Sequence, residues 1–318
     1  MARIALLSPR EYVDLLHALP VPGYTGYPEG LVAVTSYMSA NPQFGGGKGG
    51  NAKAGRLNGL LQSLTKGKPE SYLTGQPGYG RVFSGQGLPM DIAIVMSLVN
   101  ANRDVLAKDP TFKDYFKVGD FLQAMADDGV FGIDCIGFVG TYLVQSGLEP
   151  KYVGRRPLDF AGLFKPVKSL DQVRPNSVVM LTNGLHIQMI DAVRPANGGL
   201  MVDLCQSTKG GPQVNVGVSL TQPHSGGSYL PVDEFRKANA NKTYQADWEA
   251  DNRARQAAGG KARDYESFLR EKMTAKGRHF GYLGGAIFQL GGNGAPGNIV
   301  SGSVYVGVVD GGISIRTP

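Results

Sequence analysis

The chain has 318 residues, of which 42% are apolar and 18% charged, a balance typical of a globular protein with a sizeable core. Its formal net charge of +6 favours an anionic partner, but the basic residues are scattered and are not interleaved with aromatic residues, so no nucleic-acid partner is expected. Two cysteines in so long a chain form neither a disulfide framework nor a metal-binding Cys-x-x-Cys pair, and we expect neither metal nor cofactor.

The first ten residues contain an apolar run that is too short for the core of a signal peptide. No stretch approaches the ~20 consecutive apolar residues that a membrane-spanning helix needs. We therefore expect a chain without signal peptide or membrane span. It would stay in the cytoplasm unless a specialised secretion or phage machine exports it.

The first half of the chain is predicted to be mainly helical. A capping box at residues 8–11, with proline at the first helical position, predicts a helix. Residues 31–40 could form a helix or a strand, because their periodicity does not decide between the two. Residues 41–87 are rich in glycine, lysine, glutamine, serine and proline, so we expect a mobile basic loop there, within which residues 56–64 could form a short helix. Apolar stripes predict further helices over residues 90–106 and 118–127.

The second half of the chain has the pattern of an antiparallel sheet. Turn-forming dipeptides separate four short β-rich runs at residues 177–181, 185–193, 200–205 and 214–220. Helices followed by such a sheet predict an α+β fold. Polar, helix-forming residues at 232–276 predict one or two exposed helices inserted between strands, after which residues 279–290 and 303–315 return to strand character.

A cysteine stands at the predicted start of a helix in the middle of the chain. Asp134 precedes Cys135, an apolar run at helical spacing follows, and the run ends at Gly147, a natural residue for a helix C-terminus. The free N–H groups of a first helical turn favour a thiolate over a thiol, which makes Cys135 a candidate nucleophile. The alternative is a buried structural cysteine.

A histidine on the predicted sheet is the candidate base. His186 opens the second strand, where its imidazole could take the thiol proton, although a lone histidine on an apolar strand is usually structural. A third polar group should fix the tautomer of the imidazole. The next strand offers Asp203 and Gln206, and His224 in a later loop is a further alternative.

These residues resemble the NlpC-type cell-wall cysteine peptidases, which are papain-like enzymes that cleave peptidoglycan stem peptides. The family nucleophile lies in Asp-Cys-Ser-Gly-Phe/Leu-Val, and residues 134–139 read Asp-Cys-Ile-Gly-Phe-Val. The family strand His-Val-Gly-Ile is similar to residues 186–190, and its polar-Ala/Ser-Ser/Thr ending is similar to residues 206–208. The likeness covers roughly residues 130–220, under a third of the chain.

Three departures from the family pattern stand out. Ile136 replaces the usual serine, and Asn176-Ser177 replace a Gly-Asp pair. The family has a tyrosine shortly before the cysteine that helps the oxyanion site, but residues 118–132 contain none and Tyr115 is poorly placed for this role. The resemblance favours Gln206 over Asp203 as the third residue, beside Cys135 and His186.

The resemblance implies a papain-like core within the α+β fold, in which helices pack on an antiparallel sheet or half-barrel with N-terminal and inserted additions. Residues 1–87 would form an N-terminal extension or cap, residues 88–292 the hydrolase domain with the helical insertion at 232–276, and residues 293–318 the C-terminal strands.

The implied activity is that of a cysteine amidase or endopeptidase that cleaves peptidoglycan stem peptides through a thioester acyl-enzyme on Cys135. Peptidoglycan or its stem peptides would be the substrate, and an inhibitor or immunity protein a further partner. Two alternatives stay open: an acyltransferase or amidase with a non-wall substrate, and an inactive papain-like binding protein.

Overall fold

The computed structural model describes residues 7–26, 29–38, 50–65, 78–149, 160, 164–181, 186–222, 229–231, 237–274, 279–281, 287–291 and 302–309. Its helices are α1 (Pro9–His17), α2 (Gly50–Thr65), α3 (Gly78–Val82), α4 (Pro89–Ala101), α5 (Arg103–Leu106), α6 (Phe121–Asp127), α7 (Cys135–Gln145), α8 (Gln245–Ala257) and α9 (Tyr265–Thr274). Its strands are β1 (Leu19–Pro20), β2 (Leu31–Val32), β3 (Phe164–Pro166), β4 (Val178–Leu181), β5 (Ile187–Ala196), β6 (Gly199–Thr208), β7 (Gly211–Thr221), β8 (Tyr229–Pro231), β9 (His279–Gly281), β10 (Ile287–Gly291) and β11 (Gly302–Val309). The predicted α+β class is confirmed.

The predicted four-stranded meander is present as β4 to β7, each strand antiparallel to the next. β11 pairs with β4, β10 pairs with β7, and β10 also pairs with β11, so six of the described strands close into an antiparallel barrel. β3 pairs with the far end of β11. Closure leaves these six strands without an open edge. Apolar residues fill the barrel interior: Val179, Leu181, Ile190, Val202, Leu204, Val218, Leu220, Phe288, Leu290, Val304 and Val306.

Helices α1 and α7 cover the outer face of β5 and β6. Tyr12 of α1 lies edge-on to Phe138 of α7, with ring centroids 5.4 Å apart, and its hydroxyl bonds to the Thr141 hydroxyl at 2.6 Å. Both helices share one buried core with Met189 and Cys205 of the sheet. The division of the chain at residue 87 stays a prediction, and α1 contributes to the same core as α7.

Local sequence signals account for the ends of both helices. The Ser8 hydroxyl accepts from Glu11 N–H at 3.2 Å, and the Glu11 carboxylate accepts from Ser8 N–H at 2.7 Å, which completes the predicted capping box. Asp134 is the N-cap of α7. Gly147 follows the helix with a φ of +71°, the left-handed conformation expected at this position.

The predicted inserted helices are α8 and α9, and α9 packs on the barrel. Leu269 and Tyr265 of α9 form a small core with Met180 of β4 and Tyr305 of β11. The Trp248 indole N–H donates to the Arg263 carbonyl at 2.8 Å and so ties α8 to the segment before α9. In the part of the chain that the structure describes, the helices are all too short or too polar to cross a bilayer.

Candidate active site

The Cys135 thiol lies where the first turn of α7 meets the start of β5. Its Sγ atom is 3.9 Å from the Tyr37 hydroxyl and lies against the backbone N–H of Ile187, the residue that follows His186. Only 4% of the Cys135 surface is exposed. The fold therefore brings the candidate nucleophile to the strand end that carries the candidate base.

Gly85 and Gly137 allow the loop around residue 85 to pack closely against the first turn of α7. Asp134 N–H donates to the Gly85 carbonyl at 2.9 Å, so the loop that contains Gly85 crosses the first turn of α7. A Cβ atom on Gly137 would overlap that same carbonyl oxygen. The glycine of the Asp-Cys-x-Gly motif is thus required by packing, and the Asp134 carboxylate accepts from the Gly137 N–H.

The prediction that Cys135 is a thiolate is wrong for the protein without substrate. Burial, and to a smaller extent the neighbouring Asp134 charge, raise the pKa of the Cys135 thiol to about 12. The hydrogen bonds from Tyr37 and from the backbone N–H groups of Ile187 and Ile136 lower it, but by less. Loss of hydration outweighs the helix terminus because the sulfur has almost no contact with solvent.

Asp134 is a second perturbed group at this position. Burial raises the pKa of its carboxyl to about 7, although N–H groups of Gly137 and Ile136 and the Gln86 side chain stabilise the charged form. The carboxylate therefore takes up a proton near neutral pH. Protonation removes a negative charge that raises the pKa of the thiol.

We expect iodoacetamide to alkylate Cys135 slowly at pH 7 and faster as the pH approaches 12, because only the thiolate reacts. Mass spectrometry of the peptide with Cys135 measures the rate. Cys205→Ala is the control, since the second cysteine is fully buried in the core and burial raises its pKa as well. A rate that already reaches its plateau below pH 8.5 would contradict the raised pKa.

His186 and Gln206 come together as the sequence predicts. A hydrogen bond joins His186 Nε2 to Gln206 Oε1, and both side chains are buried. Because an amide oxygen only accepts, Nε2 carries the proton and Nδ1 is left as the basic nitrogen. Burial lowers the pKa of His186, so the imidazole is neutral at pH 7. Among the described residues no hydrogen bond links this imidazole to the Cys135 thiol.

Asp203 is not part of this pair. Its carboxylate lies between the guanidinium groups of Arg194, at 3.1 Å, and Arg10, at 3.2 Å, and it accepts from Gly217 N–H at 2.9 Å. The bond to Arg194 is the main cause that lowers the pKa of Asp203. The ion pair with Arg10 links α1 to the sheet. His224 falls outside the described residues.

Replacing Asp203 with asparagine should lower the free energy of unfolding at pH 7 by about 1–2 kcal/mol, a value reduced because both guanidinium groups are half exposed. Since the pKa is lowered in the folded state, this stabilisation is present above about pH 4 and disappears as the pH falls through the folded-state pKa. Urea unfolding at pH 7 and pH 3 measures it. Asp114→Asn is the control: Asp114 pairs with Lys117 on the exposed surface, so its replacement should leave the free energy of unfolding unchanged. If Asp203→Asn lost the same stability at pH 7 and pH 3, the stabilisation would not come from the charge of Asp203.

Sequence reasoning missed Tyr37. Residues 33–38, which follow β2 without regular secondary structure, position it: the Ser36 carbonyl accepts from Ile133 N–H at 3.2 Å, and a Cβ on Gly132 would lie 2.6 Å from that oxygen. Burial raises the pKa of Tyr37, so its hydroxyl keeps its proton. Tyr115, the alternative considered from sequence, is instead bound by the Lys53 ammonium at 2.7 Å.

Asn176 lies in the turn before β4. Its φ is +67°, in the left-handed region that glycine and asparagine tolerate, and its N–H donates to the Ile190 carbonyl at 2.8 Å. Its side-chain oxygen accepts from the Tyr142 hydroxyl at 2.6 Å. Asparagine therefore supports this turn and adds a bond to α7.

The structure was searched for metal-binding clusters, and the chain was compared with known proteins. Within the described residues, no three His, Cys, Asp or Glu side chains lie close enough together to hold a metal ion. The likeness to NlpC-type peptidases rests on its motif residues. No protein-family model matches the sequence, and no match is found among curated proteins or solved structures.

Proposed function

We propose that the protein is a cysteine amidase or endopeptidase that acts on peptidoglycan stem peptides, with Cys135 as nucleophile and His186 as base. One observation carries the proposal: the thiol at the start of α7 lies against the N–H of Ile187, the residue after His186, and the Nε2 of that histidine is hydrogen-bonded to Gln206. The net charge of +6 suits an anionic wall polymer. Export by a specialised machine and control by an inhibitor or immunity protein belong to the same proposal.

The proposed reaction begins from a neutral thiol and a neutral imidazole. When substrate binds, His186 turns toward the thiol, in keeping with catalytic hydrogen bonds that tighten only in the substrate complex. Nδ1 takes the thiol proton as Sγ attacks the amide carbonyl carbon. The amide C–N bond then breaks, the imidazolium gives its proton to the leaving amine, and a thioester remains. Water, deprotonated by His186, releases the acid and restores the thiol.

Tyr37 supplies a donor for this chemistry. Its protonated hydroxyl lies 3.9 Å from Sγ. The Cys135 N–H lies at the N-terminus of α7, where N–H groups have no partner within the helix. Two such donors beside the attacked carbonyl stabilise the oxyanion that forms there. Gln206 fixes the tautomer of His186 but carries no charge, so it stabilises imidazolium less than a carboxylate would, and we expect a slow enzyme.

The test is incubation of the protein with purified wall fragments, followed by mass spectrometry. Hydrolysis yields a free amine and a new carboxylic acid from one amide. Addition of an excess of a simple amine separates the alternative activity, because an acyltransferase leaves an amine adduct where a hydrolase leaves the acid. Fragments that stay unchanged at every pH from 6 to 9 would refute the proposed activity.

A second candidate function is that of a non-catalytic binding protein on the same scaffold. It is favoured by the burial of the Cys135 thiol and by its raised pKa. In that case the Cys135→Ala variant should bind wall fragments with unchanged affinity, and the wild-type protein should leave them intact.

A further inference from the structure

A basic groove lies beside the closed barrel, where β3 pairs with the end of β11. Its volume is about 500 Å³, within the range of small-molecule sites. Of its eight lining residues one is acidic, Asp171, and three are cationic: Lys165, Lys168 and Arg174. The groove therefore combines an excess of positive charge with a concave surface, and such a shape concentrates anions.

The groove is separate from the candidate active site. Arg174 precedes β4, whereas Leu181, the last residue of β4, donates its N–H to the His186 carbonyl at 3.1 Å. Between them β4 spans roughly 10 Å, at about 3.3 Å per residue. The three cations of the groove therefore take no part in the chemistry proposed for Cys135.

The barrel holds the segment that carries these cations. Val167 N–H donates to the Val306 carbonyl at 2.8 Å, and both side chains belong to the buried cluster of the barrel. The loop that follows is closed by Gln172, whose side-chain oxygen accepts from Lys168 N–H at 2.8 Å. The Gln222 amide donates to the Lys168 carbonyl at 3.2 Å. Because the backbone of the groove is fixed before a ligand arrives, binding orders few further groups.

The charges and donors of the groove match a phosphate monoester. Lysine and arginine only donate hydrogen bonds, so the group that they bind must accept them. Three cations and one carboxylate leave an excess of two positive charges. A phosphate monoester carries about −1.5 to −2 charges at pH 7 and has three strong acceptor oxygens, whereas a single carboxylate carries half that charge and has two.

The groove has room for more than the phosphate. A bare phosphate would occupy only part of a space of about 500 Å³. Pro166 and Val308 add apolar surface to the lining, on which the carbon part of an ester can lie. The groove therefore suits a phosphorylated organic molecule.

We infer that the groove binds a phosphate monoester, with Lys165, Lys168 and Arg174 as donors to the phosphate oxygens. Lysine has three N–H donors and arginine five, so each can bind the ligand and also keep a partner within the protein. The inference goes beyond the proposed function and does not depend on it, because the two sites share no residue.

Isothermal titration of the full chain at pH 7 and low ionic strength tests the inference, with glucose 6-phosphate, inorganic phosphate, glucose and succinate as probes. We expect glucose 6-phosphate to bind with a dissociation constant of about 1 mM or below and glucose not to bind. Succinate has two negative charges on separate carboxylates and should bind at least about fivefold more weakly than glucose 6-phosphate.

Two double variants with the same loss of charge show where the ligand binds. Lys165→Gln/Lys168→Gln should weaken the binding of glucose 6-phosphate at least about tenfold, because it removes two charge-assisted donors. Lys113→Gln/Lys209→Gln is the matched control: both lysines are exposed and lie outside the groove, so affinity should stay within about twofold of wild type. If the first variant does not fold, Lys168→Gln alone should weaken binding about threefold or more.

Three results would overturn the inference: no binding of glucose 6-phosphate, equal losses in the two double variants, or succinate bound as tightly as the phosphate ester. Equal losses would show that net charge, and not the groove, attracts the anion. The proposed function fails by a different result, namely wall fragments left intact by the wild-type protein.

Discussion

Replacing Cys135 with alanine is expected to reduce the cleavage of wall fragments by roughly 10⁴-fold or more, because the variant cannot form the thioester. Rates measured by mass spectrometry of the products give the effect. The alanine should not unfold the protein: it removes one buried sulfur atom at the edge of the main core, and the cap of α7 depends on Asp134.

Cys205→Ala is the matched control for this prediction. The second cysteine is also fully buried and lies on β6 in the same core, but sequence and structure give it no role in the reaction. Its replacement should cost some stability and leave the rate within about threefold of wild type. Equal activity of wild type and Cys135→Ala would remove the thiol mechanism, whatever the substrate.

Gly85→Ala is expected to be the most damaging single change to the site through structure alone, with a loss of about 2–5 kcal/mol in the free energy of unfolding. Gly85 has a φ of +75°, and a Cβ atom there would overlap the Met38 carbonyl, which is backbone and cannot move aside. The backbone conformation costs about 1–2 kcal/mol and the overlap adds about 1–3 kcal/mol. Urea unfolding monitored by circular dichroism measures the change.

Gly147→Ala separates the two contributions. Gly147 has nearly the same φ, +71°, but among the described residues no atom lies within 4 Å of the position that an added Cβ would take. It should therefore lose only the conformational part, about 1–2 kcal/mol. Gly85 lies against Met38, next to Tyr37, and its carbonyl accepts from Asp134 N–H at the start of α7, so Gly85→Ala should also lower activity at temperatures where it remains folded. Equal losses in the two variants would show that the overlap is relieved.

Much of the scaffold of the site follows from local sequence. The N-cap Asp134, the apolar spacing after Cys135 and the terminal Gly147 define α7 within a short stretch of chain. Alternating apolar residues and tight turns define β4 to β7, and a meander places β5 beside β6. The contact between His186 and Gln206 follows from that adjacency, because hydrogen-bonded strands fix which side chains meet.

Other parts of the site have no local signal. Tyr37 reaches Cys135 across 98 positions of sequence, and the contact depends on glycines at 85 and 132 that leave room for residues 36–38. Neither the spacing of residues 31–40 nor their composition contains this information. The closure of the barrel by β10 and β11 likewise joins strands far apart in the chain.

The sequence by itself determined the helix that carries Cys135, the sheet that carries His186 and Gln206, and the α+β class. The tertiary structure alone decided the protonation of the site: burial raises the pKa of Cys135 to about 12 and that of Asp134 to about 7, against the expectation from a helix terminus. The physical reason is the distance along the chain over which each effect acts. Caps and periodicity act between residues a few positions apart, whereas the hydration of a sulfur atom depends on every segment that folds over it.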